Sequence, residues 1–165
     1  MKILVAIDDS ACSRAAVEEV IRGPWPAGAE IRLVSVIEYP RITDSELWVL
    51  PADYTARMEH AARDRIQAMV SRTVREVDEA TAGKYVVTGA ALTFGAPQAV
   101  LPEEADKWQA DLLIIGSHGY QGFKRFWLGS VSQAVAARAG CSVRIARGPA
   151  AAVAPETMEK AVVTM

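Results

Sequence analysis

The chain has 165 residues, of which 51% are hydrophobic and 23% charged, so it is long enough for one domain with a proper core. This balance excludes a disordered protein, a collagen-like repeat and a small disulfide-stapled fold. The 18 lysine and arginine residues are matched by 20 acidic ones, for a net charge of −2. We therefore expect no nucleic-acid partner, because binding a phosphate backbone needs a basic excess.

Apolar runs typical of strands alternate with amphipathic, helix-like segments along the chain. Residues 2–8 are apolar on both faces of the pleat, as in a central parallel strand covered by helices on each side. Between residues 52 and 80 the apolar positions are three or four apart, which predicts a long amphipathic helix. The predicted strands are 2–8, 30–37, 84–92, 111–116 and 142–147, and the predicted helices begin near Ser10, Ala52, Gly95 and Ser130.

This alternation predicts an α/β fold with a five-stranded parallel sheet and helices on both faces. Residues 1–147 form the domain and include a predicted loop at 38–51. The remaining residues, 148–165, are rich in alanine and proline and are interpreted as a tail with a weak helix near its end. Pro102 lies inside the third predicted helix, where its missing N–H is expected to kink or shorten that helix unless the fold accommodates it.

The apolar segments are too short for a membrane. The first one stops at Asp8, short of a signal peptide, and no stretch reaches the 18 apolar residues of a membrane span. Cys12 and Cys141 do not form a CxxC pair, and two isolated cysteines without a signal peptide are typical of a reducing compartment. The sequence predicts a cytoplasmic protein with no membrane partner.

Two loops are candidates for a ligand site, because open α/β sheets bind ligands beyond the carboxyl ends of their strands. The first carries Asp8, and the second is the glycine-rich segment 116–132, which also holds a lysine and an arginine. Glycines let backbone N–H groups point at one anion, and the helix that begins at Gly129-Ser130 favours phosphate at its N-terminus. The same glycines are equally compatible with merely ending a strand and preceding a helix.

The second loop fits the pattern G-x2-G-x9-G-[ST], with Gly116, Gly119, Gly129 and Ser130 at its fixed places. Together with the opening ILVAIDDS, the segment ADLLIIGSHG and the closing CSVRIAR, it resembles the ATP-binding branch of the universal stress protein family over residues 1–147. The resemblance implies strand order 3-2-1-4-5 in a Rossmann-like fold similar to the adenine nucleotide alpha hydrolases. It also implies bound ATP or another adenine nucleotide, and a homodimer.

The resemblance further implies which residues line the nucleotide. Asp8 would accept hydrogen bonds from the ribose hydroxyls, and Val36 would contact adenine through its backbone. The phosphates would lie on the glycine loop and carry Mg²⁺ or Mn²⁺, since the loop has no carboxylate cluster to hold the metal. The implied nucleotide-binding residues are Ala6, Ile7, Asp8, Val36, Ile115, Gly116, His118, Gly119, Gly129, Ser130, Val131 and Ser132.

No catalytic residue is assigned, because the chain has no Walker-A motif and no arginine finger can be argued from spacing. A role as donor or base is one alternative for His118, but the favoured interpretation is a loop histidine that bonds to solvent. His60 is expected on the surface of the long helix. The leading hypothesis is a regulatory nucleotide binder with little or no hydrolysis. The alternatives are a slow ATPase or phosphoryl-transfer enzyme using the same loop, and a nucleotide-independent dimeric interaction module. The dimer would form through strand 142–147, since an edge strand can pair with its copy.

Overall fold

Strands and helices alternate along the residues that the computed structural model describes, which are 1–38, 53–118 and 128–147. Most of the predicted loop at 38–51 and all of the predicted tail at 148–165 lie outside these ranges. The strands are β1 (Lys2–Ala6), β2 (Glu30–Ile37), β3 (Val86–Phe94), β4 (Leu112–Gly116) and β5 (Ser142–Ala146), and the helices are α1 (Ala11–Arg22), α2 (Tyr54–Ala80), α3 (Pro97–Trp108) and α4 (Ser130–Arg138).

The five strands form one parallel sheet in the order β3-β2-β1-β4-β5. This confirms the predicted α/β class and the strand order that the resemblance implied. In the central strand, Val5 lies opposite Leu33 of β2 on one side and Ile114 of β4 on the other. The strand order reverses between β1 and β4, so the carboxyl ends of these two strands form the crevice where such sheets bind ligands.

The core has two layers, one on each face of the sheet. Ile3 and Val5 of β1 are fully buried in the layer beneath α1 and α2, whereas Leu4 and Ala6 are buried in the layer beneath α3 and α4. Successive side chains of a strand point to opposite faces. A strand covered on both faces must therefore be apolar throughout, which explains the continuous apolar run at the start of the chain.

Helix α2 has 27 residues and is about 40 Å long at 1.5 Å per residue. Its buried side chains all lie in the C-terminal half, from Met69 to Val77, and Met58 in the first half is 39% exposed. His60 is exposed, as predicted, with Nε2 3.4 Å from the Asp64 carboxylate. None of the helices in the described residues is both long enough and apolar enough to cross a membrane.

Helix α3 retains twelve residues although Pro102 lies inside it. Pro97 occupies the first helical position, where a missing N–H has no intrahelical partner to lose. Pro102 therefore removes one internal hydrogen bond, and the residue is buried. The expected shortening is not observed, and the helix ends at Gln109, which has a left-handed φ of 56°.

Candidate functional site

The turn after β1 is organised by short polar side chains. Asp8 N–H donates to Ser13 Oγ at 2.8 Å, and Asp8 Oδ1 accepts from the Ser10 N–H at 2.9 Å. Ser10 caps α1, because its Oγ accepts from the Ser13 N–H at 3.1 Å. Asp8 itself is exposed, so its carboxylate is also accessible to hydroxyl donors of a ligand.

Ser117, directly after β4, joins three elements at the carboxyl edge of the sheet. Its N–H donates to the Ala146 carbonyl at 2.8 Å, which extends the pairing of β4 with β5. Its carbonyl accepts from the Gly129 N–H at 2.8 Å and from Ser132 Oγ at 2.9 Å, which fixes the start of α4. Sequence reasoning missed this residue. The available signal was its position between a motif glycine and His118.

Neighbouring atoms lie closer to the motif glycine Gly116 than to the motif glycine Gly129. A Cβ on Gly116 would lie 2.6 Å from the carbonyl carbon and oxygen of Cys12 and 2.9 Å from the Ser13 nitrogen. Helix α1 therefore packs directly onto the end of β4, and only glycine leaves room for it. A Cβ on Gly129 would lie 3.3 Å from His118 Cα, a tighter contact than usual but one that a small shift relieves.

The N-terminus of α4 has no side-chain cap. Gly129 occupies the cap position in an extended conformation, and it has no side chain that could accept from the first N–H groups of the helix. Ser130 is exposed, whereas the Ser132 hydroxyl is buried and shared between the carbonyls of Ser117 and Gly129, at 2.9 and 3.0 Å. The Ser132 side chain thus serves the scaffold. What α4 presents is its first backbone N–H groups, which have no intrahelical acceptor and carry partial positive charge.

His118 is half-buried and is held on one side only. Its Nδ1 lies 3.2 Å from Ser117 Oγ, and its carbonyl accepts a long hydrogen bond of 3.5 Å from Ser10 Oγ. Its Nε2 is buried and has no hydrogen-bond partner within the described part of the chain. Loop histidines usually bond to solvent, whereas the Nε2 atom of His118 is buried away from it.

The remaining predicted residues fall into two groups. Ala6, Ile7 and Ile115 are buried at 8%, 5% and 7% exposure, so their side chains belong to the core and only their backbones reach the edge of the sheet. Val36 lies one strand away, on β2, where the register with β3 shifts. Such bulges are common beside functional sites. Gly119 and the two basic loop residues lie outside the described residues.

A cavity of about 340 Å³ adjoins Asp8 between α1 and α2. Arg14 donates to Glu76 at 2.7 Å across it, and this hydrogen bond lowers the pKa of the Glu76 carboxyl and raises that of Arg14. The cavity lies away from α4. Among the described residues no group of three or more histidine, cysteine, aspartate or glutamate side chains could hold a metal ion.

Comparison with known proteins agrees with this geometry. The model of the Universal stress protein family matches residues 1–147. The chain belongs to the universal stress protein family. A protein of Staphylococcus epidermidis that is named as a universal stress protein is 29% identical over 146 residues, covering 88% of this chain and 82% of that protein.

Solved structures of other universal stress proteins share the fold. A family member from Arabidopsis thaliana, described with AMP bound, has a TM-score of 0.60 and 17% identity, covering 91% of this chain and 93% of that one. A universal stress protein described in complex with cAMP has a TM-score of 0.54 and 22% identity, covering 90% of this chain and 98% of that one. At these identities the likeness shows the Rossmann-like fold of universal stress proteins.

Proposed function

We propose that this universal stress protein binds an adenine nucleotide, specifically ATP, in the crevice between the carboxyl ends of β1 and β4. The observation that carries the proposal is the uncapped start of α4, which the Ser117 carbonyl holds against the end of β4. Free N–H groups at a helix N-terminus are a general binding site for phosphate. The AMP and cAMP named with two structural relatives support an adenine nucleotide as the ligand.

Each side of the crevice has its own role in this proposal. Asp8 accepts hydrogen bonds from the ribose hydroxyls, because an exposed carboxylate offers two acceptor oxygens. Val36 meets the adenine through its backbone at the end of β2. The walls are backbone atoms of Ala6, Ile7, Ile115, Gly116 and Gly119, and the phosphates lie against His118, Gly129, Ser130, Val131 and Ser132.

The protein acts as a regulatory binder with little or no hydrolysis. Mg²⁺ or Mn²⁺ enters with the nucleotide, held by the phosphates, because phosphate oxygens suit these hard cations. The metal would neutralise phosphate charge, while the chain binds and orients the nucleotide. Cys12 and Cys141 are free thiols, which suits the reducing cytoplasm that we infer as its compartment.

A pair of substitutions at one position tests the nucleotide site. The Gly129 backbone is extended, with φ −63° and ψ 156°, so both alanine and aspartate fit its conformation. Gly129→Asp places a carboxylate where the phosphates would bind and caps α4 itself. Calorimetric titration with ATP and Mg²⁺ should show binding to the wild type and to Gly129→Ala, and at least about tenfold weaker binding to Gly129→Asp.

Two results would count against this site. Equal ATP affinity of Gly129→Asp and Gly129→Ala would show that the phosphates do not bind at α4. The absence of binding heat when ATP is titrated into nucleotide-free wild type would show that the protein does not bind ATP. Phosphate release measured in the same samples decides whether the protein only binds ATP or also hydrolyses it slowly. Mg²⁺-dependent turnover that Gly129→Asp abolishes would establish the enzyme instead.

We also infer that the protein is a homodimer formed through residues 142–147. Within residues 1–38, 53–118 and 128–147, strand β5 pairs only with β4, and an open strand edge can pair with its copy across a two-fold axis. Val143 and Ile145 are half-buried on β5. Arg144 is held by Glu19 at 2.7 Å and stacks 5.2 Å from the Trp25 ring centre, so its charge is compensated beside the pairing edge.

The opposite edge of the sheet supplies the control for this dimer. Val143→Glu on β5 would bring two like charges together across the two-fold axis, whereas Val86→Glu lies on β3 at a residue that is already 58% exposed. Sedimentation at micromolar concentration should give the mass of two chains for the wild type and Val86→Glu, and of one chain for Val143→Glu. A monomeric wild type would contradict the dimer.

A further inference from the structure

An ion pair ties helix α2 to the turn after β1. Arg65 Nη2 lies 2.7 Å from Asp9 Oδ2, and the two residues are 56 positions apart in the chain. The Asp9 side chain is 29% exposed and the Arg65 side chain 69%, so the carboxylate is the better fixed of the two partners. Asp9 directly follows Asp8, which we propose as the acceptor for the ribose hydroxyls.

Asp9 is the middle residue of the turn that orients the Asp8 carboxylate. Asp8 Oδ1 accepts from the Ser10 N–H at 2.9 Å, which closes an Asx turn. The Ser10 N–H belongs to the planar peptide group that begins at the Asp9 carbonyl, so the backbone dihedral angles of Asp9 set the direction of this donor. A fixed Asp9 side chain therefore limits the orientations that the Asp8 carboxylate can take.

A cavity of about 340 Å³ lies between this turn and α2. Asp8, Asp9 and Ser10 line it on one side, and on the other its wall includes Met69, one helical turn after Arg65. A segment beside a cavity has fewer packed neighbours to restrain it, so its position depends more on individual polar contacts. The ion pair of Asp9 with Arg65 supplies such a contact.

We propose that Arg65 is a positioning residue for the nucleotide site, because through Asp9 it keeps the Asp8 carboxylate turned toward the ribose hydroxyls. This role rests on the proposed nucleotide site and adds a residue of α2 to it. The turn engages Asp8 Oδ1, and Oδ2 is the oxygen that accepts from the ribose. Loss of the ion pair thus weakens the contact with the ribose and leaves the phosphate contacts at α4 unchanged.

Two nucleotides distinguish this role from a merely structural one. The analogue 2′,3′-dideoxy-ATP lacks both ribose hydroxyls, so its affinity does not depend on how Asp8 is oriented. In calorimetric titrations with Mg²⁺, Arg65→Gln and Asp9→Asn should each bind ATP about threefold more weakly than the wild type, the size expected of one exposed ion pair. Both variants should bind 2′,3′-dideoxy-ATP like the wild type. Arg65→Lys, which keeps the positive charge, should recover most of the affinity for ATP.

The same helix supplies a matched control. Arg57 is 71% exposed and pairs at 3.1 Å with Asp53, the cap residue of α2 itself, so Arg57→Gln removes a similar ion pair that does not reach the turn. It should bind both nucleotides like the wild type. The double variant Asp9→Asn/Arg65→Gln should bind ATP no more weakly than either single variant, because both substitutions remove the same contact.

Failure of this positioning role differs from failure of the proposed function. Arg65→Gln that binds ATP as tightly as the wild type, or that loses affinity for both nucleotides equally, overturns the role of Arg65 alone. A wild type that binds the two nucleotides equally overturns the contact of Asp8 with the ribose and the role of Arg65 with it. A wild type that binds neither nucleotide overturns the nucleotide site as a whole.

Discussion

Helices α1 and α4 both begin at the carboxyl edge of the sheet, yet their first turns differ. The Ser10 side chain caps α1, and Asp8 and Ser13 complete a closed set of hydrogen bonds there. Helix α4 begins at Gly129 with no side-chain cap, and its position is set by backbone contacts to Ser117. The Ser13 N–H in the first turn of α1 has a side-chain acceptor, whereas the cap residue of α4 provides none.

Polar groups at the starts of α1 and α4 therefore have different roles, although both lie at the carboxyl edge of the sheet. At α1 the serine and aspartate side chains are used for stability, since a cap satisfies N–H groups that would otherwise lack partners. At α4 the small cap residue leaves donors accessible, which suits an anion but adds no local stability. Substitutions at α1 should therefore change mainly the free energy of unfolding, and those at α4 mainly the affinity for the nucleotide that we propose as ligand.

The largest expected loss of stability is at Gly116, where α1 packs against the end of β4. Gly116→Ala should lower the free energy of unfolding by about 3 kcal/mol, because its Cβ would meet Cys12 backbone atoms at 2.6 Å. Gly129→Ala should cost less than about 1 kcal/mol, since its contacts are 3.3 Å and a small shift relieves them. Urea denaturation of both variants measures this. Equal decreases in the free energy of unfolding would contradict the difference in steric crowding between Gly116 and Gly129.

A smaller effect is expected at the cap of α1. Ser10→Ala should lower the free energy of unfolding by about 1 kcal/mol, because the Ser13 N–H loses its acceptor. Ser130→Ala, at the exposed first residue of α4, is the control and should change it by less than about 0.5 kcal/mol. A larger loss at Ser130 than at Ser10 would reverse the contrast between the helix ends.

The smallest effect concerns the ion pair that joins α1 to α2. Glu76→Gln should cost about 0.5 kcal/mol at pH 7, because Arg14 and Glu76 are 51% and 36% exposed and water screens their attraction. The Arg14 hydrogen bond lowers the pKa of Glu76, so the contribution is present while the carboxyl is ionised and disappears as the pH falls through that lowered pKa.

Denaturation of wild type and Glu76→Gln between pH 7 and pH 3 measures this contribution, with Glu103→Gln as the control. The Glu103 pair with Lys107 spans 3.9 Å at an exposed site. A Glu76 difference that grows toward pH 3 would contradict the assignment.

Much of the fold could be predicted because its signals are local. The continuous apolar run before Asp8 indicated a central strand, and the spacing of apolar residues from 52 to 80 indicated one long helix; both are confirmed. Propensity alone could not decide how Pro102 affects α3, because it judges a helix without its surroundings. In the structure α3 keeps twelve residues with the proline buried inside it.

The sequence by itself determined the order of strands and helices and the glycine pattern that marks the family, since both are written in neighbouring residues. Only the tertiary structure decided how the polar side chains are used. Ser117 meets Gly129 and Ser132 across 12 and 15 positions of the chain, and the Ser132 hydroxyl turns out to serve the scaffold. Hydrogen-bond partners that strand order and helix packing bring together leave no local pattern in the sequence, so these contacts became visible only in the folded molecule.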